Sequence, residues 1–281
     1  MIDVTLVGAA GRMGGRVRRS LRDDATYRLT LVENDPAGVA RLAAEGWATT
    51  PPDAAYRGAE LVVFAVPDRI VGDVAADVVP RLDPGALVVC LDPAGAHADK
   101  IPRRDDVGCF VTHPTHPPLF DLLAEPTIEA RRDYWGGGLA RQSLVHALVW
   151  GPESDYARGV ALAERVFRPV LRSFRVSLAD MALLEPAMSE TITLTCIQLI
   201  RDALDEVVAR GVDPLAARDF LLGHVQISCA LLFGELDWEL SDGAKQAVRD
   251  AMEDLIQPGW REAFAPDAVR LSVGRITGEQ G

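Results

Sequence analysis

The chain reads as an α/β protein in two parts, a helix-covered parallel sheet over residues 1–177 followed by an all-helical domain over 178–281. Three observations predict this. Short runs of consecutive apolar residues alternate with helical stretches through the first part, as strands buried on both faces do. A glycine-rich turn separates the first of these runs from the helical stretch after it. Beyond about Leu178 the β-rich runs give way to helical spacing.

Val4–Val7 is the first strand, followed by the glycine turn and the arginine-rich segment Arg12–Leu21. Leu29–Glu33, Leu61–Val66, Ala86–Leu91 and Cys109–Thr112 follow as strands, the third ended by Pro67. Gln142–Trp150 is one more, closed by Gly151 and Pro152; a helix over Ser154–Phe167 and a short strand at Leu171–Val176 complete this part. Pro186 then starts a helix in which Ile197, Ile200, Leu204, Val207 and Val208 keep helical spacing as far as Gly211. Thr191–Thr195 alternates like a strand and is assigned to this helix on its continuation. Asp213 and Pro214 open a helix that runs to about Phe233. It is so apolar from Leu221 onward that it should be buried, inside the domain or against a second subunit. Ser241 opens another helix, which must stop by Pro258, and Arg270–Gly281 reads as loosely held.

A formal net charge of −12 disfavours nucleic acid and anionic membrane as partners. The four cysteines (Cys90, Cys109, Cys196 and Cys229) are scattered among apolar residues, as expected of buried thiols in a reduced, cytoplasmic protein. Met1 leads directly into a strand with no leader-like segment, and no apolar run approaches the ~18 residues of a membrane span.

The turn Gly8-Ala9-Ala10-Gly11-Arg12-Met13-Gly14 lies between a strand and a helix. Small residues there allow a tight turn and close approach of backbone to a pyrophosphate, which the helix N-terminus attracts. Glu33 ends the second strand about 20 residues on, where an acid accepts hydrogen bonds from the adenosine ribose and repels a 2′-phosphate. The first part is therefore expected to be a Rossmann domain that binds NAD rather than NADP. Gly8, Ala10, Gly11, Arg12, Met13 and Gly14 form its turn, and Val66 and Pro67 close a strand beside the nicotinamide half. Pro67 serves equally well as a plain strand terminator.

With these residues in view, the chain resembles the 6-phosphogluconate dehydrogenase-like superfamily, which pairs a Rossmann domain with a helical one. Residues 112–120 (THPTHPPLF), 184–190 (LEPAMSE) and 219–224 (DFLLGH) narrow the resemblance to the D-apionate oxidoisomerase family. That resemblance implies an NAD-dependent oxidation at C2 of a branched sugar acid, then an α-ketol shift of its carboxylate to give 3-oxo-isoapionate. The apolar helices over 186–256 point to a homodimer formed through the helical domain. Such chemistry needs a base, anchors for the substrate carboxylate, and an electrophile at the ketol oxygens, for which magnesium is a candidate.

His113 and His116 follow the fifth strand on a proline-fixed loop and read as general bases, with metal ligation as the other use of their spacing. Glu190, in the first turn of the helix begun at Pro186, is a catalytic acid/base or a metal ligand, or simply a helix-dipole partner. His116 and Glu190 are thus the metal-ligand candidates. Asp92, with Ala94 and Gly95, follows the fourth strand near the expected substrate, and His224 interrupts its apolar helix as a substrate contact or a buried structural histidine. Residues 177–244 hold no lysine, against a lysine-based dehydrogenase mechanism. His97 and His146 read as structural, and Gly136–Gly138 as a mobile loop. A simple hydroxy-acid dehydrogenase and a non-catalytic NAD sensor stand as the alternatives.

Overall fold

The computed structural model describes residues 1–120 and 127–279. The chain divides into two compact units, Met1–Glu185 together with Arg270–Gly281, and Pro186–Val269. In the first unit the elements run β1 (Ile2–Val7), α1 (Arg12–Leu21), β2 (Tyr27–Val32), α2 (Pro36–Ala44), α3 (Pro52–Ala55), β3 (Leu61–Phe64) and α4 (Asp68–Val78). They continue as β4 (Leu87–Cys90), α5 (Ala94–His97), β5 (Gly108–Pro114), α6 (Ile128–Arg131), β6 (Gln142–Trp150), α7 (Glu153–Val166), β7 (Val170–Arg175) and α8 (Leu178–Ala182). A π-helical stretch, Leu183–Leu194, leads into α9 (Thr195–Ala209), α10 (Pro214–Leu232), α11 (Asp242–Leu255) and α12 (Pro266–Ile276).

The seven strands form one sheet in the order β2-β1-β3-β4-β5-β6-β7. All neighbours are parallel except β5 and β6, so the sheet is mostly rather than wholly parallel. Register is set by a two-residue alternation. Val7, Val32, Phe64, Cys90 and Val111 pack into one core, while Leu6, Leu31, Val63, Val89 and Phe110 pack into the other. The chain order reverses between β1 and β3, which opens a crevice at their C-terminal ends.

Several expectations are corrected. β5 continues through Pro114, so His113 belongs to the strand rather than following it. Pro186 lies inside a continuous helical run, because α8 is already capped by Ser177 and Asp180 and the π-helical stretch carries the chain past the proline. Arg270–Ile276 is helical and anchored by buried Val273, with Lys100 salt-bridged to Glu279; the last two residues lie outside the described ones. Cys196 is exposed and Cys229 half-buried, so only Cys90 and Cys109 are the buried thiols expected.

In the helical unit α9 and α11 bury no residue and α10 buries only Ala217. The apolar face of α10 is therefore not covered inside its own domain. α10 is 19 residues long with a mean hydropathy of 1.2, a length and composition that core helices of globular proteins share with membrane spans. Arg218, Asp219 and His224 interrupt its apolar run.

Gly159 in α7 shows how tightly the second core is closed: a Cβ there would lie 2.5 Å from the ring of Phe110, itself flanked by His146 and Tyr156. Alanine in mid-helix normally gains about 1 kcal/mol over glycine, but overpacking costs ~1–3 kcal/mol. A 2.5 Å approach to a packed ring takes the upper, ~2–3 kcal/mol end of that cost, so Gly159→Ala is expected to lower stability by about 1–2 kcal/mol net in chemical denaturation; an unchanged or raised midpoint would contradict this packing.

Candidate functional site

The glycine turn separates two demands. Gly8 has φ +83°, and a Cβ there would lie 2.5 Å from the Ala65 carbonyl oxygen; one at Gly14 would lie 2.3 Å from that of Gly8. Both positions are forced to be glycine by backbone packing. Gly11 is different, since the nearest atom to its Cβ position is at 3.5 Å, an ordinary contact. Its missing side chain leaves space the protein does not use. Gly11 also begins α1 without a side-chain cap and without an acid in the first turn, so the N–H groups there are available to an anion. Met13 packs on the core and Arg12 lines the crevice. The Glu33 carboxylate accepts from the N–H of Ala10 at 2.9 Å and of Asp35 at 3.0 Å, which fixes it against the turn.

A cavity of about 600 Å³ opens beside this turn, lined among others by Arg12, Val66, Asp68, Asp92, His113 and His116. Strand register assembles its polar wall. Cys90 pairs with Val111, so Asp92 and His113, each two residues further on, emerge side by side on the face of the first core. Met181 of α8 belongs to that same core, and the chain leaving α8 delivers Glu185 to it. His113 Nδ1 lies 3.7 Å from Asp92 Oδ2 and Nε2 lies 3.6 Å from Glu185 Oε1. Nδ1 is also 3.0 Å from the Leu91 carbonyl oxygen, which can only accept, so Nδ1 carries the proton. The Ala94 N–H donates to Asp92 Oδ1 at 2.8 Å and is therefore not free for a ligand. Burial pushes the Asp68 carboxyl up to about 6, and the negative charges of Asp92 and Glu185 add to the shift against the opposing effect of His113.

His116 sits at φ +58°, a backbone conformation uncommon for residues other than glycine. Its Nδ1 donates to the Trp135 carbonyl at 3.1 Å, and its ring packs 4.9 Å from the indole. Arg16, buried to 2% exposure, donates to that same carbonyl at 3.2 Å; desolvation lowers its pKa to about 10. The glycines after Trp135 are tied down rather than free, because Asp133 accepts from the N–H groups of Gly136, Gly138 and Ala140. The expected mobile loop is thus a carboxylate-centred turn.

Asp92, His113 and His116 come together on this wall with the turn residues Gly11, Arg12 and Met13 and the strand end Val66-Pro67. Glu190 lies within the π-helical stretch of the helical unit rather than at a helix start. His224 is exposed, bonds the Phe220 carbonyl and stacks on its ring at 4.0 Å, lining a separate apolar cavity between α9 and α10. Among the described residues the three-donor group suited to a metal is Asp92, His113 and Glu185, with donor atoms within 4.8 Å of one another; it includes neither His116 nor Glu190. Sequence reasoning set Glu185 aside in favour of Glu190 and gave no role to Asp68 or the Arg16–Trp135 support. The preference for Glu190 followed from taking Pro186 as a helix start.

Residues 124–277 match the family described as phosphogluconate dehydrogenase (decarboxylating) C-term. The chain is 42% identical to the D-apionate oxidoisomerase of Rhizobium rhizogenes over 278 residues, covering 99% of this chain and 100% of that protein. The chain belongs to the D-apionate oxidoisomerase family. A second such oxidoisomerase, from Cupriavidus necator, is 42% identical, covering 98% of this chain and 99% of the relative. Among solved structures, a semialdehyde dehydrogenase NAD-binding protein from Cupriavidus necator, in complex with calcium and NAD, matches with a TM-score of 0.94. That match has 42% identity and covers 99% of this chain and 100% of the other.

In this family member the two kinds of turn glycine should separate by stability. Gly14→Ala forces backbone apart and should cost at least ~3 kcal/mol, the upper end of overpacking, whereas Gly11→Ala should cost no more than about 1 kcal/mol, the scale of a poorer N-cap. Denaturation midpoints check this; equal losses would mean that Gly11 too is held by packing.

Proposed function

We propose that this protein is an NAD-dependent D-apionate oxidoisomerase, which oxidises C2 of D-apionate and rearranges the product to 3-oxo-isoapionate. The observation that carries the reading is 42% identity, over almost the whole of both chains, to two D-apionate oxidoisomerases. The NAD held by the Cupriavidus necator relative supports the cofactor, and its calcium supports a divalent cation in the same family.

The residues present fit NAD: the Gly11 space takes a phosphate oxygen, the uncapped start of α1 faces its charge, and the Glu33 carboxylate receives the ribose hydroxyls and repels a 2′-phosphate. When bound, NAD supplies the acceptor for the C2 hydride. His116 takes the proton of the C2 hydroxyl: with Nδ1–H committed to Trp135, Nε2 keeps its lone pair. Arg16 and Asp133 fix the segment on which that acceptor depends. In an α-ketol shift the migrating group leaves the carbinol carbon and joins the carbonyl carbon. A hydroxymethyl carbon therefore moves from C3 to C2, rather than the carboxylate expected from the sequence; the product is the same. Glu190 and His224 receive no role here, because the lining of this cavity comes from the sheet-bearing unit.

The substrate is a small sugar acid, and the four free cysteines support a reducing, cytoplasmic setting. We also infer a homodimer through the helical unit, supported by the exposure of Ile197, Phe220, Leu232, Trp238 and Leu255 in the single chain. Light scattering should give twice the 30.3 kDa chain mass; a persistent monomer overturns the dimer.

Purified protein supplied with NAD, D-apionate and magnesium should form NADH and a rearranged product visible by NMR. His116→Gln should lower kcat by ~10²–10⁴-fold, the range for loss of a general base, while keeping its unfolding midpoint. Gly11→Ala should weaken NAD binding more than it lowers stability. NADH formation from another hydroxy acid without rearrangement, and none from D-apionate, would sink the substrate and leave a dehydrogenase.

A further inference from the structure

We propose that Asp92, His113 and Glu185 are the protein's share of a divalent-cation site, with manganese or magnesium bound between the two carboxylates and His113 Nε2. The remaining coordination positions are open to two oxygens of a 2-hydroxy or 2-keto acid and to water. The inference rests on the oxidoisomerase reading for its purpose but not for its geometry.

Three features carry it. First, the donor set is chemically apt. Carboxylate oxygens suit magnesium and manganese, and an imidazole shifts the preference toward manganese. Second, the spacing is close to a coordination sphere. Ligand bonds of ~2.1 Å place donor atoms about 3–4 Å apart, and one donor atom of each residue lies within 4.8 Å of those of the other two; His113 Nε2 is 3.6 Å from Glu185 Oε1, and Asp92 Oδ2 is 3.7 Å from the same ring at Nδ1. Third, the histidine is oriented as a ligand. Its Nδ1–H is spent on the Leu91 carbonyl, which fixes the tautomer and turns the Nε2 lone pair toward a carboxylate oxygen. A lone pair facing an anion is repulsive unless a positive charge lies between them. Asp92 is supported in the same way, because the Ala94 N–H holds Oδ1.

The competing account is an imidazolium: His113 takes a second proton on Nε2 and pairs with Glu185 with no metal present. The surroundings favour a larger positive charge. Two carboxylates, Asp92 at 3.7 Å and Glu185 at 3.6 Å, flank one imidazole, so a single positive charge on the ring leaves one of them uncompensated. A dication neutralises both and leaves room for an anionic substrate.

The test uses the full chain after chelator treatment. Titration with manganese chloride alone, followed calorimetrically and by electron paramagnetic resonance, should show one saturable ion per chain, with spin-echo modulation from a histidine nitrogen. Asp92→Asn and Glu185→Gln should each weaken binding by more than about tenfold, the loss expected even of an outer-shell partner. His113→Gln should abolish the nitrogen modulation, and His116→Gln should leave manganese affinity unchanged. No saturable binding, or binding that survives Asp92→Asn and Glu185→Gln together, overturns the site in favour of the imidazolium. Manganese binding without turnover of D-apionate would sink the substrate reading and leave the cation site standing.

Discussion

The candidate site depends on the lateral register of five parallel strands. Val32, Val7, Phe64, Cys90 and Val111 form one row across the sheet, all facing the same core. Beyond the row β1, β2, β3 and β4 end at one edge of the sheet, while β5 runs on to Pro114 beside β6. One step beyond the row lies Gly8, where the turn begins, and two steps beyond lie Asp92 and His113. A one-residue slip between β4 and β5 would turn one of these side chains to the opposite face and break the wall. Burial on both faces makes such a slip costly, since it would exchange the contents of two packed cores. The same hydrophobic alternation that stabilises the sheet therefore sets the spacing of the polar groups at its end.

The glycine turn adds a second constraint, from backbone rather than side chains. α1 approaches β1 so closely that the carbonyl of Gly8 occupies the place of a Cβ at Gly14. That contact aims the first turn of α1 at the crevice and leaves its N–H groups unspent. Stability and anion binding are thus served by different glycines in one short segment. On the other side of the cavity, Arg16 extends from α1 to the Trp135 carbonyl, which also receives His116. The helix that opens on the dinucleotide turn thereby supports the imidazole across the cleft. The desolvation cost of burying the guanidinium is offset in part by this hydrogen bond, the Phe167 ring at 4.8 Å and the charge of Asp133, while Nε and Nη2 keep no hydrogen-bond partner among the described residues.

Most of the sheet was legible because its signal is local and repeated. Apolar runs bounded by turn residues gave every strand to within a few residues, and the turn glycines announced the first crossover. His113 and Asp92 were picked out by position, as polar residues at the C-terminal ends of buried strands. Glu185 was passed over because a proline usually begins a helix or ends one. Here a π-helical stretch absorbs it, and Thr191 and Thr193 back-bond to the carbonyls of Pro186 and Met188. No periodicity in Leu183–Leu194 reveals that the helix began earlier. The Arg16–Trp135 contact spans 119 positions and joins residues that look like a helix surface and a loop, so only the tertiary structure reveals it.

Charge balance ties the parts together. The cofactor carries phosphates and the substrate a carboxylate, yet Asp68 and Asp92 line the cavity and Glu185 stands behind its His113. The positive potential at the start of α1 and the guanidinium of Arg12, which lines the cavity, suit the phosphates. His113 offers at most one unit of positive charge to the wall. An anionic sugar acid entering such a wall meets repulsion at short range in a partly desolvated space, where screening by solvent is weak. Asp68 is raised first by burial and then by the charge of Asp92, against the opposing effect of His113. Acids gathered where an acid must bind make sense when they serve a cation rather than the substrate itself. On this view the carboxylates, the fixed imidazole tautomer and the open cavity are three consequences of one requirement: positive charge held where two substrate oxygens must be polarised together.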